Sequence, residues 1–112
     1  MLITFEGIDK SGKTTQANIL INYLKNRGFD VIFIREPGGT KISEKIRELL
    51  LDSKNSEMFC ETEFLLYSAS RAQLVNEVIK PALERKELAF LNFCQDRLKV
   101  FRQIGIKSHI FF

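Results

Sequence analysis

The clearest chemical pattern in the sequence is a glycine-rich segment near the amino terminus. Residues 7–14 read GIDKSGKT and fit GxxxxGK[ST] at every fixed position. Glycines let such a loop curl until successive backbone N–H groups face inward and bind phosphate oxygens. A lysine and a hydroxyl at its end suit the terminal phosphates and Mg²⁺. The pattern predicts a nucleotide site formed by Gly7, Ile8, Asp9, Lys10, Ser11, Gly12, Lys13 and Thr14, and GTPase, ATPase and kinase chemistry remain open.

Two charged residues inside the loop add to this chemistry. The Asp9 carboxylate could accept hydrogen bonds from a sugar hydroxyl, and Lys10 could steady a phosphoryl group during its transfer. A local pair of opposite charges on a solvated turn explains the same two residues. The loop alone leaves both interpretations open.

Two further candidates lie downstream of the loop. The segment REPGGT at 35–40 follows a predicted strand, and the carboxyl ends of parallel strands face the ligand crevice. A tight turn explains its glycines, but it explains the adjacent Arg35 and Glu36 less well. Tyr67 and Arg71 are four residues apart on a predicted helix and could stack and hydrogen-bond a flat base. On spacing alone, an ordinary helix-surface pair is the stronger interpretation.

Apolar patterning predicts the elements that position these residues. The runs LITFEG at 2–7 and VIFI at 31–34 are typical of buried strands with both faces covered. Between them, apolar residues recur at helical spacing over 13–27, and Gly28 stands at the position of a C-cap glycine. A strand, a helix and a second strand of this kind indicate a parallel sheet.

The later part of the sequence predicts two more helices and a third strand. A short amphipathic helix covers 43–51 and is followed by a polar loop at 52–57. A longer helix begins near Thr62 and runs to about Lys80, where Pro81 kinks or ends it. The run LAFLNF at 88–93 is the candidate third strand.

Composition bounds the class of protein. The chain has 112 residues, of which 45% are hydrophobic and 28% charged, as expected of one small domain. No apolar run approaches the ~18 residues of a membrane span, and no signal peptide precedes the first acidic residues. The two cysteines lack CxxC spacing and there is one histidine, which argues against a zinc site or a disulfide framework. We therefore expect a reduced, cytoplasmic protein with no membrane partner.

The net charge of +3 is unevenly placed along the chain. Residues 1–87 carry 13 basic and 13 acidic side chains, so the whole excess lies in 88–112. A short basic tail does not by itself indicate a nucleic-acid-binding protein. We expect no nucleic-acid partner.

The motifs together resemble the thymidylate kinase family. They are FEGIDKSGKTTQ, REPGGT with Glu44 and Arg47 downstream, ETEFLLYSASRAQ and VIKPALE, collinear over about residues 2–87. The resemblance implies an α/β fold of the P-loop NTPase type, with three layers and a parallel sheet. It also implies transfer of the ATP γ-phosphoryl group to dTMP, giving dTDP for dTTP biosynthesis, by a Mg²⁺-dependent homodimer. No guanine-binding [NT]KxD motif accompanies the loop, which disfavours a GTPase.

The resemblance implies a role for each matching residue. The loop of residues 7–14 would hold the ATP phosphates, and Asp9 would meet the 3′-hydroxyl of the deoxyribose. Lys10 stands where eukaryote-type members carry a loop arginine that assists phosphoryl transfer. Glu36 would lie near the acceptor phosphate and the metal, and Arg47 would line the dTMP pocket. Lys13, Lys10 and Glu36 would form the catalytic group, with Thr14 on the metal.

The thymine base would be bound by the third motif. Tyr67 stands where the family normally has a phenylalanine stacked on thymine, and Arg71 would bind a thymine carbonyl. Phosphoryl transfer depends mostly on alignment and charge neutralisation, so the lack of a conspicuous general base is no objection.

The resemblance ends after Glu84. The family continues with an apolar strand ending in Asp-Arg, where this sequence has Asn92 and Phe93; an Asp96-Arg97 pair occurs later, in a helix-like polar stretch. We therefore divide the chain into a P-loop kinase part at 1–87 and a divergent tail at 88–112.

The missing motif predicts a truncated fold. We expect the tail to be a frameshifted or prematurely stopped reading, without the family's mobile lid. The alternative to an active kinase is a non-catalytic P-loop remnant that binds nucleotides without turnover.

Overall fold

The elements of the fold follow the order that the sequence predicts. The computed structural model describes residues 1–7 and 10–94, the last two as backbone only. The elements are β1 (Leu2–Gly7), α1 (Lys13–Lys25), β2 (Val31–Glu36), α2 (Lys41–Leu51), α3 (Cys60–Leu74), a π-helical turn (Val75–Ile79), α4 (Lys80–Glu84) and β3 (Leu88–Cys94). No helix among these described residues is both long and apolar enough to span a membrane. The α/β class is confirmed.

The three strands form a parallel sheet with β3 in the centre. The strand order is β1-β3-β2, although β3 is the last of the three described strands along the chain. Gly7 at the end of β1 pairs with Cys94, and Glu36 at the end of β2 pairs with Phe93. The loops that follow β1 and β2 therefore both lie at the carboxyl ends of the strands, on opposite sides of β3. This is the position at which open parallel sheets bind ligands.

Two apolar clusters hold the three layers together. On one face, Ala17 and Ile21 of α1 pack against Phe90 of β3. On the other face, Leu74 and the π-helical turn pack against Leu91. Phe90 and Leu91 are adjacent in the strand and so point to opposite faces of the sheet. The central strand therefore contributes to both clusters, and the predicted three-layer arrangement is confirmed.

The prediction that both outer strands are covered on both faces is wrong. In β1, residues alternate between exposed and half-buried, and Phe33 of β2 is 40% exposed. The half-buried Ile3 and Phe5 face α1, whereas the buried Ile34 of β2 faces α3 and the π-helical turn. The described helices thus cover opposite faces of the sheet, and only in part. β1 is covered on the α1 side alone, whereas β2 packs Val31 on that side and Ile34 on the other.

The long third helix differs from its predicted form at the carboxyl end. It begins at Cys60, widens into the π-helical turn and continues through α4 to Glu84, past the predicted end near Lys80. Pro81 lies in the first turn of α4, where a residue without a backbone N–H is tolerated. The proline therefore marks a change of hydrogen-bonding pattern and does not end the helical path.

Substitution of the central strand's aromatic residue tests this arrangement. Phe90 is fully buried, and its ring stacks on Phe5 with centroids 5.9 Å apart. We expect Phe90→Ala to lower the free energy of unfolding by about 3–5 kcal/mol, measured by urea denaturation. The half-exposed Phe33 is the control, and Phe33→Ala should cost much less. Equal losses would contradict the central position of β3.

Candidate functional site

The glycine-rich loop joins β1 directly to α1. Gly12 has a left-handed φ of 84° at the N-cap of α1, and its carbonyl accepts a hydrogen bond from the Gln16 N–H at 3.0 Å. A Cβ placed on Gly7 would lie 3.1 Å from Ser11 Oγ and 3.3 Å from Lys13 Cδ. The Lys13 side chain therefore folds back across Gly7, where a larger residue would be crowded. The loop has the close backbone approach and helix N-terminus of a phosphate cradle.

Lys10 occupies a strained position in the same loop. Its φ of 62° lies in the left-handed region that non-glycine residues rarely adopt, and its side chain is exposed. The loop thus presents an ammonium group at the cost of local backbone strain. The neighbouring Ile8 and Asp9, both predicted to bind the nucleotide, lie outside the described residues.

Glu36 places a buried carboxylate at the end of β2. It is 2% exposed, and its Oε1 accepts a hydrogen bond from Arg71 Nε at 2.5 Å. Its Oε2 is also buried and has no hydrogen-bond partner within the described structure. Burial raises the pKa of Glu36, and the Arg71 guanidinium opposes part of that rise. The carboxylate therefore has one oxygen fixed by an arginine and one able to accept a hydrogen bond.

The turn after β2 is held by Glu44. Gly38 and Gly39 both have positive φ, and a Cβ on Gly38 would lie 2.5 Å from Glu44 Oε1. The Glu44 carboxylate accepts from the Gly39 N–H at 2.8 Å and pairs with Arg35 at 3.2 Å. The hydrogen bond from the Gly39 N–H does most to hold the pKa of Glu44 below its ordinary value, and the Arg35 guanidinium lowers this pKa further. The two glycines are therefore required by the turn, and Arg35 pairs with Glu44 of α2.

Arg47 of α2 reaches back to the same turn. The helix is capped by Thr40, whose Oγ1 accepts from the Ser43 N–H at 3.0 Å. Two turns from this cap, Arg47 Nη1 donates to the carbonyl oxygen of Pro37 at 2.9 Å. The guanidinium of Arg47 is thereby held beside the residue that follows Glu36.

Tyr67 and Arg71 are not a solvated surface pair. Tyr67 is 8% exposed, and the Arg71 side chain is 26% exposed and forms the ion pair with Glu36. The interpretation of this pair as an ordinary feature of the helix surface is therefore wrong. Instead, Tyr67 is buried, and Arg71 reaches from α3 to Glu36 at the end of β2.

A cavity of about 390 Å³ lies between the glycine-rich loop and the end of β2 and is lined by residues of both. Its described lining consists of residues 10–15, Arg35, Glu36, Arg47 and Asn92. Four of these side chains are cationic and one is a carboxylate, a balance that favours an anionic ligand. Tyr67 and Arg71 are not in the described lining of the cavity. Arg71 contacts Glu36, which is part of that lining.

Arg35 and Asn92 belong to the cavity but not to the predicted set of site residues. Asn92 Nδ2 donates to Thr14 Oγ1 at 3.1 Å, which joins the central strand to the first turn of α1. The signal for Arg35 was its place in the REPGGT segment. Asn92 was noted in the sequence only as a departure from the family's Asp-Arg motif, and its place in the cavity follows from the position of β3 between the other two strands. Within the described residues, no group of three His, Cys, Asp or Glu side chains could hold a metal ion.

These features define the class of protein. A parallel sheet whose first strand runs into a glycine cradle, with a cationic cavity where the strand order reverses, is that of an α/β P-loop nucleotide-binding protein. A family model described as thymidylate kinase matches residues 5–91. The chain belongs to the thymidylate kinase family, as the sequence motifs predict.

Individual relatives agree with this membership. A thymidylate kinase of Caldanaerobacter subterraneus is 49% identical over 100 residues, covering 89% of this chain and 48% of the relative. One from Thermoanaerobacter sp. is 49% identical over 110 residues, covering 95% and 54%. The crystal structure of thymidylate kinase from Ehrlichia chaffeensis matches with a TM-score of 0.76 and 31% identity, over 97% of this chain and 70% of that one.

The matches differ in extent from the predicted division of the chain. The chain spans about half the length of the curated relatives it matches. The family match runs to residue 91, past the predicted boundary at 87, and β3 lies entirely in the predicted tail. The division at 87 stays a prediction, and Asp96 and Arg97 lie outside the described residues.

Replacement of Lys10 separates its charge from its backbone strain. Left-handed φ costs an L residue about 1–2 kcal/mol, and glycine loses about 0.4–1 kcal/mol through the flexibility of the unfolded chain. We expect Lys10→Gly to be more stable than Lys10→Ala by roughly 0.5 kcal/mol in urea denaturation. Both variants lose the charge and should bind tripolyphosphate equally weakly. A less stable glycine variant would contradict the left-handed conformation.

The buried carboxylate predicts a pH dependence of stability. Because the pKa of Glu36 is raised in the folded state, the folded protein binds a proton more readily than the unfolded chain just above pH 4.5. The contribution of Glu36 to stability therefore decreases as pH rises through that window. Relative to Glu36→Gln, the wild-type free energy of unfolding should fall with rising pH. The opposite slope would show that pairing with Arg71 outweighs burial.

Proposed function

We propose that this chain is the nucleotide-binding part of a dTMP kinase, which transfers the γ-phosphoryl group of ATP to dTMP and gives dTDP for dTTP biosynthesis. The observation that carries the proposal is the cavity that the glycine loop and the end of β2 share. A phosphoryl donor and a phosphorylated acceptor must meet within one volume for direct transfer. Membership of the thymidylate kinase family supports the choice of thymidylate as the acceptor.

The described loop fits the polyphosphate of ATP. Gly7 leaves room for the Lys13 side chain to fold over it, and Gly12 opens the first turn of α1 toward the cavity. Backbone N–H groups and the helix N-terminus would hold the phosphates, with Lys13 on the terminal ones. Thr14 Oγ1 lines the same cavity and would contact Mg²⁺. The metal would supply neutralisation of the phosphate charge.

The opposite wall suits the acceptor. Glu36 and Arg47 line it and would lie near the phosphate of dTMP, while Arg71 would bind a thymine carbonyl and Tyr67 would stack on the ring. The buried Glu36–Arg71 pair supports this assignment, because it ties the helix that would hold the base to the strand end that would hold the phosphate. Asp9 is proposed to meet the deoxyribose 3′-hydroxyl.

The proposed chemistry is alignment and charge neutralisation. Lys13 and Lys10 approach the cavity from the loop, and Arg35 and Arg47 approach it from β2 and α2. Cations on both sides would stabilise charge on the phosphoryl group as it passes between donor and acceptor. The acceptor is itself a phosphate, so no strong general base is needed.

A second candidate function is nucleotide binding without turnover. Near its carboxyl end the central strand carries the neutral Asn92, whose amide donates to the Thr14 hydroxyl proposed for Mg²⁺. A neutral side chain there would attract a cation less than a carboxylate would. This observation favours a remnant that holds both nucleotides and transfers the phosphoryl group slowly or not at all.

We also propose that the chain acts as a cytoplasmic homodimer without nucleic-acid or membrane partners, which family membership and composition support. Exposed apolar side chains on α2 and α3, namely Ile42, Leu49 and Leu65, support an interface with a second copy.

Calorimetric titration of the chain with dTMP is the test of the proposed function, with UMP as the control ligand. We expect dTMP to bind at least about tenfold more tightly, and Arg47→Met to weaken dTMP binding without changing ATP binding. Lys13→Ala should do the reverse. Equal affinity for dTMP and UMP would contradict a thymidylate site.

Turnover then separates the two candidate functions. dTMP-dependent production of ADP from ATP supports the kinase, and binding of both nucleotides without ADP production supports the remnant.

A further inference from the structure

A chain of buried hydroxyl groups connects α2 to α3. Ser43 and Ser70 are fully buried, and Thr40 is 6% exposed. The Thr40 hydroxyl donates to Ser43 Oγ at 2.9 Å, and the Ser43 hydroxyl donates to the Ser70 carbonyl oxygen, also at 2.9 Å. In this chain of hydrogen bonds, Ser43 links Thr40, the N-cap of α2, to the backbone of α3 at Ser70.

Both ends of this bridge lie beside site residues. Ser43 is one helical turn before Arg47, which donates to the Pro37 carbonyl. Ser70 immediately precedes Arg71, which donates to Glu36. The two arginines thus hold neighbouring residues of the same turn from two different helices. The hydrogen bond from the Ser43 hydroxyl to the Ser70 carbonyl joins those two helices between the two arginines.

We propose that Ser43 is a positioning residue: its hydroxyl fixes α3 against α2 and thereby holds the Arg71 guanidinium on Glu36. The ligand part of this inference rests on the proposed function, in which Arg71 and Glu36 serve the acceptor nucleotide. The hydrogen bond is directional, whereas the apolar contacts between the two helices tolerate small shifts along their surfaces. Loss of the bond therefore lets α3 shift along α2 while both helices stay folded.

The proposal depends on the carbonyl of Ser70 and not on its hydroxyl. Ser70 Oγ is buried and has no hydrogen-bond partner within the described structure. Ser70→Ala removes that atom and leaves the bridge intact, so it serves as one control. Ser68→Ala is the second control, because Ser68 Oγ donates to the Phe64 carbonyl at 2.9 Å within α3 alone. Both controls alter α3 without cutting its link to α2.

The first test follows the Arg71 Nε–H resonance in ¹⁵N NMR spectra of the whole chain without ligand. The resonance is identified by its absence in Arg71→Lys. We expect Ser43→Ala to move it toward the position of the exposed arginines, and Ser68→Ala and Ser70→Ala to leave it in place. An unmoved resonance in Ser43→Ala would overturn the proposal. Should that variant fail to fold, Ser43→Cys keeps the volume with a weaker donor and should give a smaller shift of the same sign.

The second test measures nucleotide affinity. We expect Ser43→Ala to weaken dTMP binding about tenfold and to leave ATP binding unchanged, while the two control variants change neither. In an Arg71→Lys background, Ser43→Ala should weaken dTMP binding no further, because it acts through Arg71. Equal loss of ATP and dTMP affinity, or additive losses in the double variant, would overturn the proposal.

The two tests distinguish this inference from the proposed function. If the wild-type chain binds ATP but not dTMP, the proposed function fails and the ligand part of the inference fails with it. The Arg71 resonance still decides whether Ser43 positions that guanidinium. If dTMP binds and the resonance does not move in Ser43→Ala, the inference alone fails.

Discussion

The parallel pairing of β3 with both other strands is the constraint on which the site depends. Because β3 lies between β1 and β2, the glycine loop and Glu36 leave the sheet on either side of one strand end. That separation leaves a cavity wide enough for phosphates and still lined by cations from both sides. Without β3, nothing in the described sheet would hold the two halves of the site at a fixed distance.

The acceptor side of the cavity is stabilised by polar contacts around a short turn. Arg71 binds Glu36, Arg47 binds the Pro37 carbonyl, and Glu44 binds the Gly39 N–H. Each contact comes from a helix, and each ends within four residues of the end of β2. A buried ion pair is costly to desolvate, so its value here lies in fixing geometry more than in stability. The glycine loop, by contrast, is shaped mainly by its own backbone.

Local patterns predicted most of the fold and most of the residues that line the cavity. The glycine loop, the first helix and the REPGGT turn are set by short-range chemistry, so their residue types and spacing predict them. The position of β3 is set by long-range pairing, which leaves no local signal. Asn92 was therefore noted only as a departure from the family motif, and its contact with Thr14 was not predicted. The pairing of Arg35 with Glu44 and of Arg71 with Glu36 likewise depends on how helices pack. Burial of the outer strands was overestimated because apolar content does not reveal which face a helix covers.

The central place of β3 also determines the order in which the protein can assemble. During synthesis β1, α1 and β2 leave the ribosome well before Leu88–Cys94, yet in the described sheet β1 and β2 pair only with β3. Neither early strand can complete its hydrogen bonds until the last one has inserted between them. Both pairings of the described sheet therefore wait for β3, and both join residues far apart in the chain, which are slow to come together. Until then, both early strands expose unpaired edges that invite association with other nascent chains.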